Sequence, residues 1–288
     1  MAVKISDLKG FSNSGARYSY GENDTILYAL GLGLGGNPLE KTSLDYVYEK
    51  DLQAVPTMAT VIAWGANDIR SIGINYQKVL HAGQYIKIHQ PLPGAADVVA
   101  EAHVKAVSDK GESKGSIIVT ETNINLEKTG EPLCTLNNTI FARGDGGITD
   151  AENESYGDLR SSPKIPETAP SHTAEIKTAE NLAAIYRLSG DDNPLHIDPE
   201  VALSAGFEKP ILHGLCTMGL CCRALLESAL DHDAALIESL EVKFTSVFYP
   251  GETLLVEMWR ESDTVLFRAS SKERGLVVID GGLCCLRS

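Results

Sequence analysis

Apolar and polar residues alternate in eight segments of the chain, four in each half. The first half holds residues 84–89, 98–108, 116–125 and 133–143, and the second half holds residues 241–248, 253–259, 265–271 and 277–286. Alternation with a period of two is typical of β-strands that bury one face. The pattern therefore predicts two sets of consecutive antiparallel strands.

A helical period replaces this alternation just before the second set of strands. Between residues 214 and 230, Leu215, Met218, Cys222 and Leu225 recur at intervals close to 3.6 residues. This spacing predicts one long buried helix. An amphipathic helical run precedes the strands of the first half as well. We therefore predict an α+β fold in which each half wraps an antiparallel sheet around a helix.

A stretch rich in glycine, proline and acidic residues separates the two halves. It covers residues 146–172, and its composition favours a linker over regular structure. We therefore predict domains at residues 1–145 and 173–288. Short matches in the same order indicate that one half duplicates the other. They pair Tyr28-Ala29-Leu30 with Tyr186-Arg187-Leu188, and Asn37-Pro38-Leu39 with Asn193-Pro194-Leu195.

The charge and the chain ends narrow the class of protein. The 288 residues carry a net charge of −14, which disfavours nucleic-acid binding and requires a local basic site for any anionic ligand. No segment approaches the ~20 consecutive apolar residues of a membrane-spanning helix. The segment from Met1 to Phe11 lacks a signal core, and Leu286-Arg287-Ser288 is not a clear peroxisomal tail signal. We expect a cytoplasmic protein, or a peroxisomal one in a eukaryote, with no membrane partner.

The six cysteines do not have the spacing of a disulfide scaffold or of a zinc site. Four of them form the adjacent pairs Cys221-Cys222 and Cys284-Cys285, and adjacent cysteines rarely bridge each other. We therefore expect reduced, buried thiols, with no metal site and no redox cofactor.

The densest chemical signal is the run YRLSGDDNPLH from Tyr186 to His196. Pro194 keeps Asn193 out of the helical region, so the chain bends between Asp191 and His196. A carboxylate and an imidazole that face one space are suited to hold and deprotonate a water molecule. The same residues also suit an ordinary turn in which Asp and Asn bind main-chain amides, and the spacing alone leaves both interpretations open.

A second signal is Gly214, which stands directly before the predicted long helix. A glycine at a helix start can bring its amide close to a ligand oxygen, where the helix N-terminus also favours negative charge. An enolate-like thioester oxygen carries such a charge. Gly214 would equally serve a tight turn into the helix, and we interpret His213 as a packed or capping residue.

Together these residues resemble the MaoC-like, (R)-specific 2-enoyl-CoA hydratase family, also called hydratase 2. The hallmark run Tyr-x-Leu-Ser-Gly-Asp-x-Asn-Pro-Leu-His is complete from Tyr186 to His196, and the His-Gly pair follows at His213 and Gly214. The similarity extends over nearly the whole chain and is greatest to the two-repeat hydratase domain of peroxisomal multifunctional enzymes. It implies a double hot-dog fold made of two repeats, each with a central helix wrapped by an antiparallel sheet.

The resemblance also implies an activity and a set of catalytic residues. The reaction is the reversible hydration of trans-2-enoyl-CoA to (3R)-3-hydroxyacyl-CoA, a hydro-lyase step of fatty acid metabolism. Asp191 and His196 match the residues that hold the catalytic water. Asn193 matches a residue that orients the site, and Gly214 matches the amide that donates to the thioester carbonyl. Coenzyme A is then part of the substrate, and no separate cofactor is implied.

Other positions match substrate and CoA contacts of the family. They are His81, Ala82, Lys110, Asp192, Pro194, Leu195 and Phe244. Ala82 departs from the glycine that the family has there. Lys110 would supply the local basic site, although a solvated lysine in a turn explains it equally well.

The first repeat lacks the catalytic pair, because Gly35 and Glu40 stand where the second repeat has Asp191 and His196. We expect a non-catalytic copy that accommodates the acyl tail, with the glycine-rich stretch 31–36 favouring loop over helix. Two alternatives stay open: a hydratase or dehydratase of a branched, sterol-like or dicarboxylic acyl thioester, and a non-catalytic acyl-CoA binding protein. A homodimer is a hypothesis.

Overall fold

The computed structural model describes residues 3–148 and 155–287. The first half contains helices α1 (Ile5–Lys9), α2 (Glu22–Gly31), α3 (Leu44–Val47) and α4 (Ala59–Ile62), and strands β1 (Ser12–Tyr20), β2 (Val79–Ile88), β3 (Ala96–Asp109), β4 (Ser116–Leu126) and β5 (Pro132–Ala142). The short strand β6 (Ser155–Tyr156) follows. The second half contains β7 (His172–Lys177), α5 (Leu182–Tyr186), α6 (Pro199–Ser204), α7 (Gly214–Ala229), β8 (Ile237–Phe244), β9 (Thr253–Glu261), β10 (Thr264–Ser271) and β11 (Leu276–Leu286).

All of these strands belong to one antiparallel sheet. Its order is β1-β3-β4-β5-β2-β8-β11-β10-β9-β7, with β6 paired to β3. The two halves meet where β2 pairs with β8, from Gly83 opposite Lys243 to Lys87 opposite Ser239. Each half therefore contributes one sheet, and the two sheets are joined edge to edge. This is the double hot-dog arrangement, so the predicted fold class is confirmed.

Helix α7 packs against the sheet of the second half, as its apolar period predicts. Twelve of its sixteen residues are buried, so it has almost no solvent-exposed face. Its two charged residues, Arg223 and Glu227, form an ion pair (Nε to Oε1, 2.6 Å). The cysteines are unbridged and all but Cys285 are buried, as expected. Burial raises the pKa of the Cys134 thiol to about 12, so that thiol stays protonated at neutral pH.

The central helix of the first half is much shorter than its counterpart. A 3₁₀ turn at Pro56–Met58 continues into α4, which ends at Ile62. Pro56 suits the start of a helix because its missing N–H would have no partner there. The first repeat thus keeps a helix at its centre, but this helix covers only residues 56–62, whereas α7 is sixteen residues long.

Two predicted strand boundaries were wrong. The strand predicted at residues 241–248 spans Ile237–Phe244, and the one predicted at 84–89 begins at Val79. The pairing between β2 and β8 explains the first shift, because Gly83 to Lys87 find their partners at Ser239 to Lys243. Hydrogen bonding across the halves overrides local alternation here.

The predicted linker is attached to the sheet rather than free of it. Within its described part, β6 pairs with β3, and the Thr168 carbonyl accepts a hydrogen bond from Trp259 Nε1 (2.8 Å). The Arg160 guanidinium lies over the Tyr85 ring at 4.2 Å from its centroid. Residues 149–154 of the predicted linker lie outside the described residues, and the domain boundaries stay a prediction. No helix in the two described ranges is long and apolar enough to cross a membrane.

Candidate active site

The loop between α5 and α6, residues 187–198, carries the candidate pair Asp191 and His196 and is here called the catalytic loop. It makes the bend that its sequence predicts. Gly190 has φ of 135°, a conformation that favours glycine, and an added Cβ would lie 3.3 Å from the Trp64 side chain. Asn193 Oδ1 then accepts a hydrogen bond from the Leu195 amide (3.1 Å) and starts a 3₁₀ turn at Pro194–His196. The bend turns Asp191 and His196 toward the same space.

Asp191 and His196 are close enough for one water molecule to bridge them. A carboxylate oxygen of Asp191 and a ring nitrogen each of His196 and His213 lie within 4.8 Å of one another. His196 Nδ1 is 2.8 Å from the Ile211 carbonyl, which can only accept, so Nδ1 carries the proton. The lone pair on Nε2 of His196 is therefore free to accept a proton.

Burial dominates the electrostatics of this pair. It lowers the pKa of His196, although the charge of Asp191 and the bond to the Ile211 carbonyl oppose the shift. Burial likewise raises the pKa of Asp191, although the charge of His196 and the hydrogen bond from the Asn193 amide lower it in part. At neutral pH His196 is consequently an unprotonated base.

His213 adds a second imidazole to the site. Its ring stacks on His196 with centroids 3.7 Å apart and an angle of 29° between the planes, and its Nε2 donates to the Asp191 carbonyl (3.1 Å). The three side chains also have the composition of a metal site. However, imidazole lone pairs lie in the ring plane, and two nearly parallel stacked rings do not direct them at one ion. The stack therefore fits a supporting role for His213 better than coordination.

Gly214 begins α7 beside the second imidazole. An added Cβ at this position would lie 3.2 Å from Phe244 Cε1, so the ring packs directly on the glycine backbone. The Gly214 amide belongs to the first turn of the helix and has no acceptor within it. It is thus available to a ligand oxygen next to the catalytic loop.

The first repeat reaches the site through His81, which contacts Phe244 of the second repeat. The His81 ring meets that ring edge-on at 4.9 Å, and His81 Nε2 donates to the Gly83 carbonyl (3.0 Å). Burial lowers the pKa of His81 to about 4, so this ring is neutral. Ala82 lies in the bulge between the paired residues His81 and Gly83. The structure therefore brings His81, Ala82, Phe244 and Gly214 together.

The other predicted ligand contacts lie toward the surface. Asp192 and Pro194 are exposed, and Leu195 is half-buried. Lys110 is exposed in the turn between β3 and β4, where its Nζ donates to Ser108 Oγ (2.8 Å). Its contact with CoA stays a prediction.

Two tyrosines behind the catalytic loop were not predicted as part of the site from the sequence. Tyr186 packs on His213 with ring centroids 5.0 Å apart, and Tyr28 packs on Tyr186 at 5.8 Å. Both tyrosines are 1% exposed. The signal that could have found them is the repeated Tyr-x-Leu match, because equivalent residues of two repeats meet when both lie near the axis that relates the repeats.

The loop of the first repeat keeps the turn of the catalytic loop without its dyad. Asn37 Oδ1 accepts from the Leu39 amide at 3.1 Å, the same bond at the same distance as in the second repeat. Gly35 has no side chain to offer, and Glu40 lies 3.9 Å from His232. This match supports the duplication, and the first repeat lacks both side chains of the candidate pair.

Comparison with known proteins agrees with this geometry. A family model described as "MaoC like domain" matches residues 161–281, and one described as "MFE-2 hydratase 2 N-terminal domain" matches residues 18–144. The chain is 37% identical to "Enoyl-CoA hydratase 2, peroxisomal" of Arabidopsis thaliana over 279 residues, which cover 92% of this chain and 90% of the relative. It is also 37% identical to "Peroxisomal multifunctional enzyme type 2" of Mus musculus, covering 91% of this chain and 36% of that larger protein.

A solved structure extends the match to the whole fold. The crystal structure of a MaoC-like dehydratase from Phytophthora capsici superimposes with a TM-score of 0.85 at 31% identity, covering 99% of this chain and 98% of that one. The fold and the catalytic loop thus define a MaoC-like double hot-dog protein. Within that class, the chain belongs to the hydratase 2 family.

Proposed function

We propose that this chain catalyses the reversible hydration of trans-2-enoyl-CoA thioesters to (3R)-3-hydroxyacyl-CoA in fatty acid metabolism, with Asp191 and His196 as the catalytic pair. One observation carries the assignment of the pair. A carboxylate oxygen and imidazole nitrogens lie within 4.8 Å of one another, beside a helix that starts with a bare glycine amide. Relatives named enoyl-CoA hydratase support the reaction.

The proposed mechanism uses each group for one task. Asp191 orients a water molecule, and His196 Nε2 accepts its proton as the oxygen forms a bond to C3. The π electrons of the double bond move toward the thioester oxygen, where the Gly214 amide and the N-terminus of α7 stabilise the negative charge. The electron pair then returns to C2 and takes up a proton there, while His196 releases the one it accepted. The product gains one hydroxyl and one hydrogen, and both catalytic side chains regain their starting states.

The first repeat, residues 1–145, is proposed to accommodate the acyl tail, while residues 173–288 carry the chemistry. The short central helix at residues 56–62 supports this division, because it occupies less of its sheet than the sixteen residues of α7 occupy of theirs. The CoA part is proposed to contact His81, Ala82, Phe244 and the basic Lys110.

The experiment that tests this function is the loss of enoyl-thioester absorbance with trans-2-decenoyl-CoA, followed by chiral analysis of the product. We expect loss of the band and a (3R)-hydroxy product. A folded sample that turns over neither short nor long enoyl-CoA chains would contradict the proposal, as would a (3S) product. The homodimer stays a prediction, which sedimentation as a clean monomer would contradict.

A further inference from the structure

Four buried polar atoms without a well-formed hydrogen bond lie directly behind the catalytic loop. They are the hydroxyls of Tyr28, Thr57 and Tyr186 and the Nδ1 atom of His213. All four residues are at most 1% exposed. Such atoms are rare in folded proteins, and they need a reason when several occur together. Two of them belong to the first repeat and two to the second.

The three hydroxyls form one group. The Tyr28 and Tyr186 rings are 5.8 Å apart. Burial raises the pKa of Tyr28, and the facing hydroxyls of Thr57 and Tyr186 oppose that rise, so the three side chains influence one another. Gly219 of α7 allows the approach, since a Cβ there would lie only 3.2 Å from the Tyr28 hydroxyl oxygen.

This group ends at His213, whose tautomer the structure defines. Its Nε2 is 3.1 Å from the Asp191 carbonyl and therefore carries the proton. The buried Nδ1 must then be an acceptor, and the Tyr186 ring packs against the same imidazole at 5.0 Å. Neither the Tyr186 hydroxyl nor His213 Nδ1 has a direct partner among the described residues, so a tyrosine hydroxyl would donate to this acceptor through one water molecule.

The surroundings keep His213 neutral. Burial, the charge of His196 and that of Arg187 lower the pKa of His213 to about 3, and only the Asp191 carbonyl opposes them. A neutral ring stacked on His196 can stabilise the imidazolium that forms when His196 accepts a proton. Its Nε2–H also fixes the main chain of Asp191. His213 thus contacts both members of the dyad.

We propose that His213, held in its Nε2–H form by the Asp191 carbonyl, is a positioning residue for Asp191 and His196, and that the hydroxyl pair of Tyr28 and Tyr186 supports it from the side of its buried Nδ1. The proposal rests on the dyad of the proposed function. It gives the first repeat a part in the chemistry, because Tyr28 belongs to that repeat.

The test compares steady-state kinetics of His213→Phe, Tyr186→Phe and Tyr28→Phe with the parent chain. Phe keeps an aromatic ring against His196 but loses the hydrogen bond to the Asp191 carbonyl, so we expect kcat of His213→Phe to fall about 10-fold while KM stays within about twofold. The acid limb of its kcat profile should move upward by about half a pH unit, because a loosened loop hydrates His196 and relieves the desolvation that lowers its pKa. Each Tyr→Phe variant should lose about threefold in kcat.

Non-additivity separates this role from a merely structural one. If the tyrosines act through His213, adding Tyr186→Phe to His213→Phe should cost no further kcat. The matched control is Tyr46→Phe, which removes another buried tyrosine hydroxyl, the one that donates to the His232 carbonyl (2.7 Å). It should lower the melting temperature and leave kcat and its pH profile unchanged.

A folded His213→Phe variant with parental kcat and pH profile would overturn the proposal. If that variant does not fold, Tyr186→Phe decides alone, and a loss no larger than that of Tyr46→Phe overturns the proposal. Full activity in His196→Ala would instead refute the dyad itself. If His196→Ala loses activity and His213→Phe keeps parental activity, only the positioning role is refuted.

Discussion

Gly214→Ala is the substitution whose effect follows most directly from the geometry of the site. The added methyl group would lie 3.2, 3.4 and 3.4 Å from three atoms of the Phe244 ring. Carbon atoms in contact prefer separations of about 3.5 to 4.0 Å, so the ring must move by a few tenths of an ångström. It would move relative to the His81 ring, which it meets at 4.9 Å.

The cost to folding should be small and the cost to catalysis larger. Overpacking of this kind costs about 1 kcal/mol at its lower end, and the higher helix propensity of alanine offsets part of it. We therefore expect the melting temperature to fall by about 2 °C. A displacement of about 1 Å at a reacting centre costs on the order of 10²-fold in rate, so a few tenths should lower kcat/KM about 10-fold.

The assay is hydration of trans-2-decenoyl-CoA beside thermal unfolding of the same samples. Gly10→Ala is the control, because its added Cβ would be 3.5 Å from the nearest atom and meet ordinary contacts only. Adding Phe244→Leu to Gly214→Ala should restore most of the lost stability by removing the ring. Parental kcat/KM in a folded Gly214→Ala variant would refute the reasoning that the close packing of Phe244 on this backbone sets the geometry of the site.

Three further predictions concern pH and charge. Hydration needs neutral His196, and the pKa of His196 lies below its usual value of about 6.5. We therefore expect kcat/KM to stay level from pH 8 to below about pH 6.5 and to fall only at lower pH. An acid limb of the kcat/KM profile with its midpoint above pH 7 would contradict this. Burial raises the pKa of Glu252, but Arg274 and the Tyr249 amide lower it further. Glu252→Gln should thus cost about 1–2 kcal/mol in urea unfolding at pH 7. That cost should shrink as the pH falls below about 4.3, the ordinary pKa of the unfolded state, and through the lowered pKa of the folded state; a cost that does not change with pH would contradict this. Lys110→Ala should raise KM for enoyl-CoA several-fold but not for an enoyl-pantetheine thioester; equal effects would exclude a phosphate contact.

Much of the fold could be predicted because its signals are local. The apolar period of residues 214–230 predicted α7, and alternation located eight of the eleven described strands. Strands β1, β6 and β7 were not predicted. The error at β8 arose where pairing with β2 across the repeats sets the register. Alternation along one strand carries no information about which distant strand it joins.

The candidate site was predictable only where it is continuous in sequence. The run from Asp191 to His196 contains both members of the dyad and the turn that brings them together. His213 was interpreted as a packed or capping residue, because its contact with the Asp191 carbonyl depends on how α7 meets the loop. Tyr28 was read only as evidence of duplication, since its meeting with Tyr186 requires the packing of one repeat on the other.

The most direct test of the account is the initial hydration rate of trans-2-decenoyl-CoA in the parent chain, Asp191→Asn, His196→Ala and the control Asp198→Asn. Asp198 caps α6 through the Glu200 amide (2.8 Å), a role that Asn also fills. The account predicts losses of about 10²-fold or more for Asp191→Asn and His196→Ala, and a parental rate for the control. Hydration left intact in either dyad variant would contradict it.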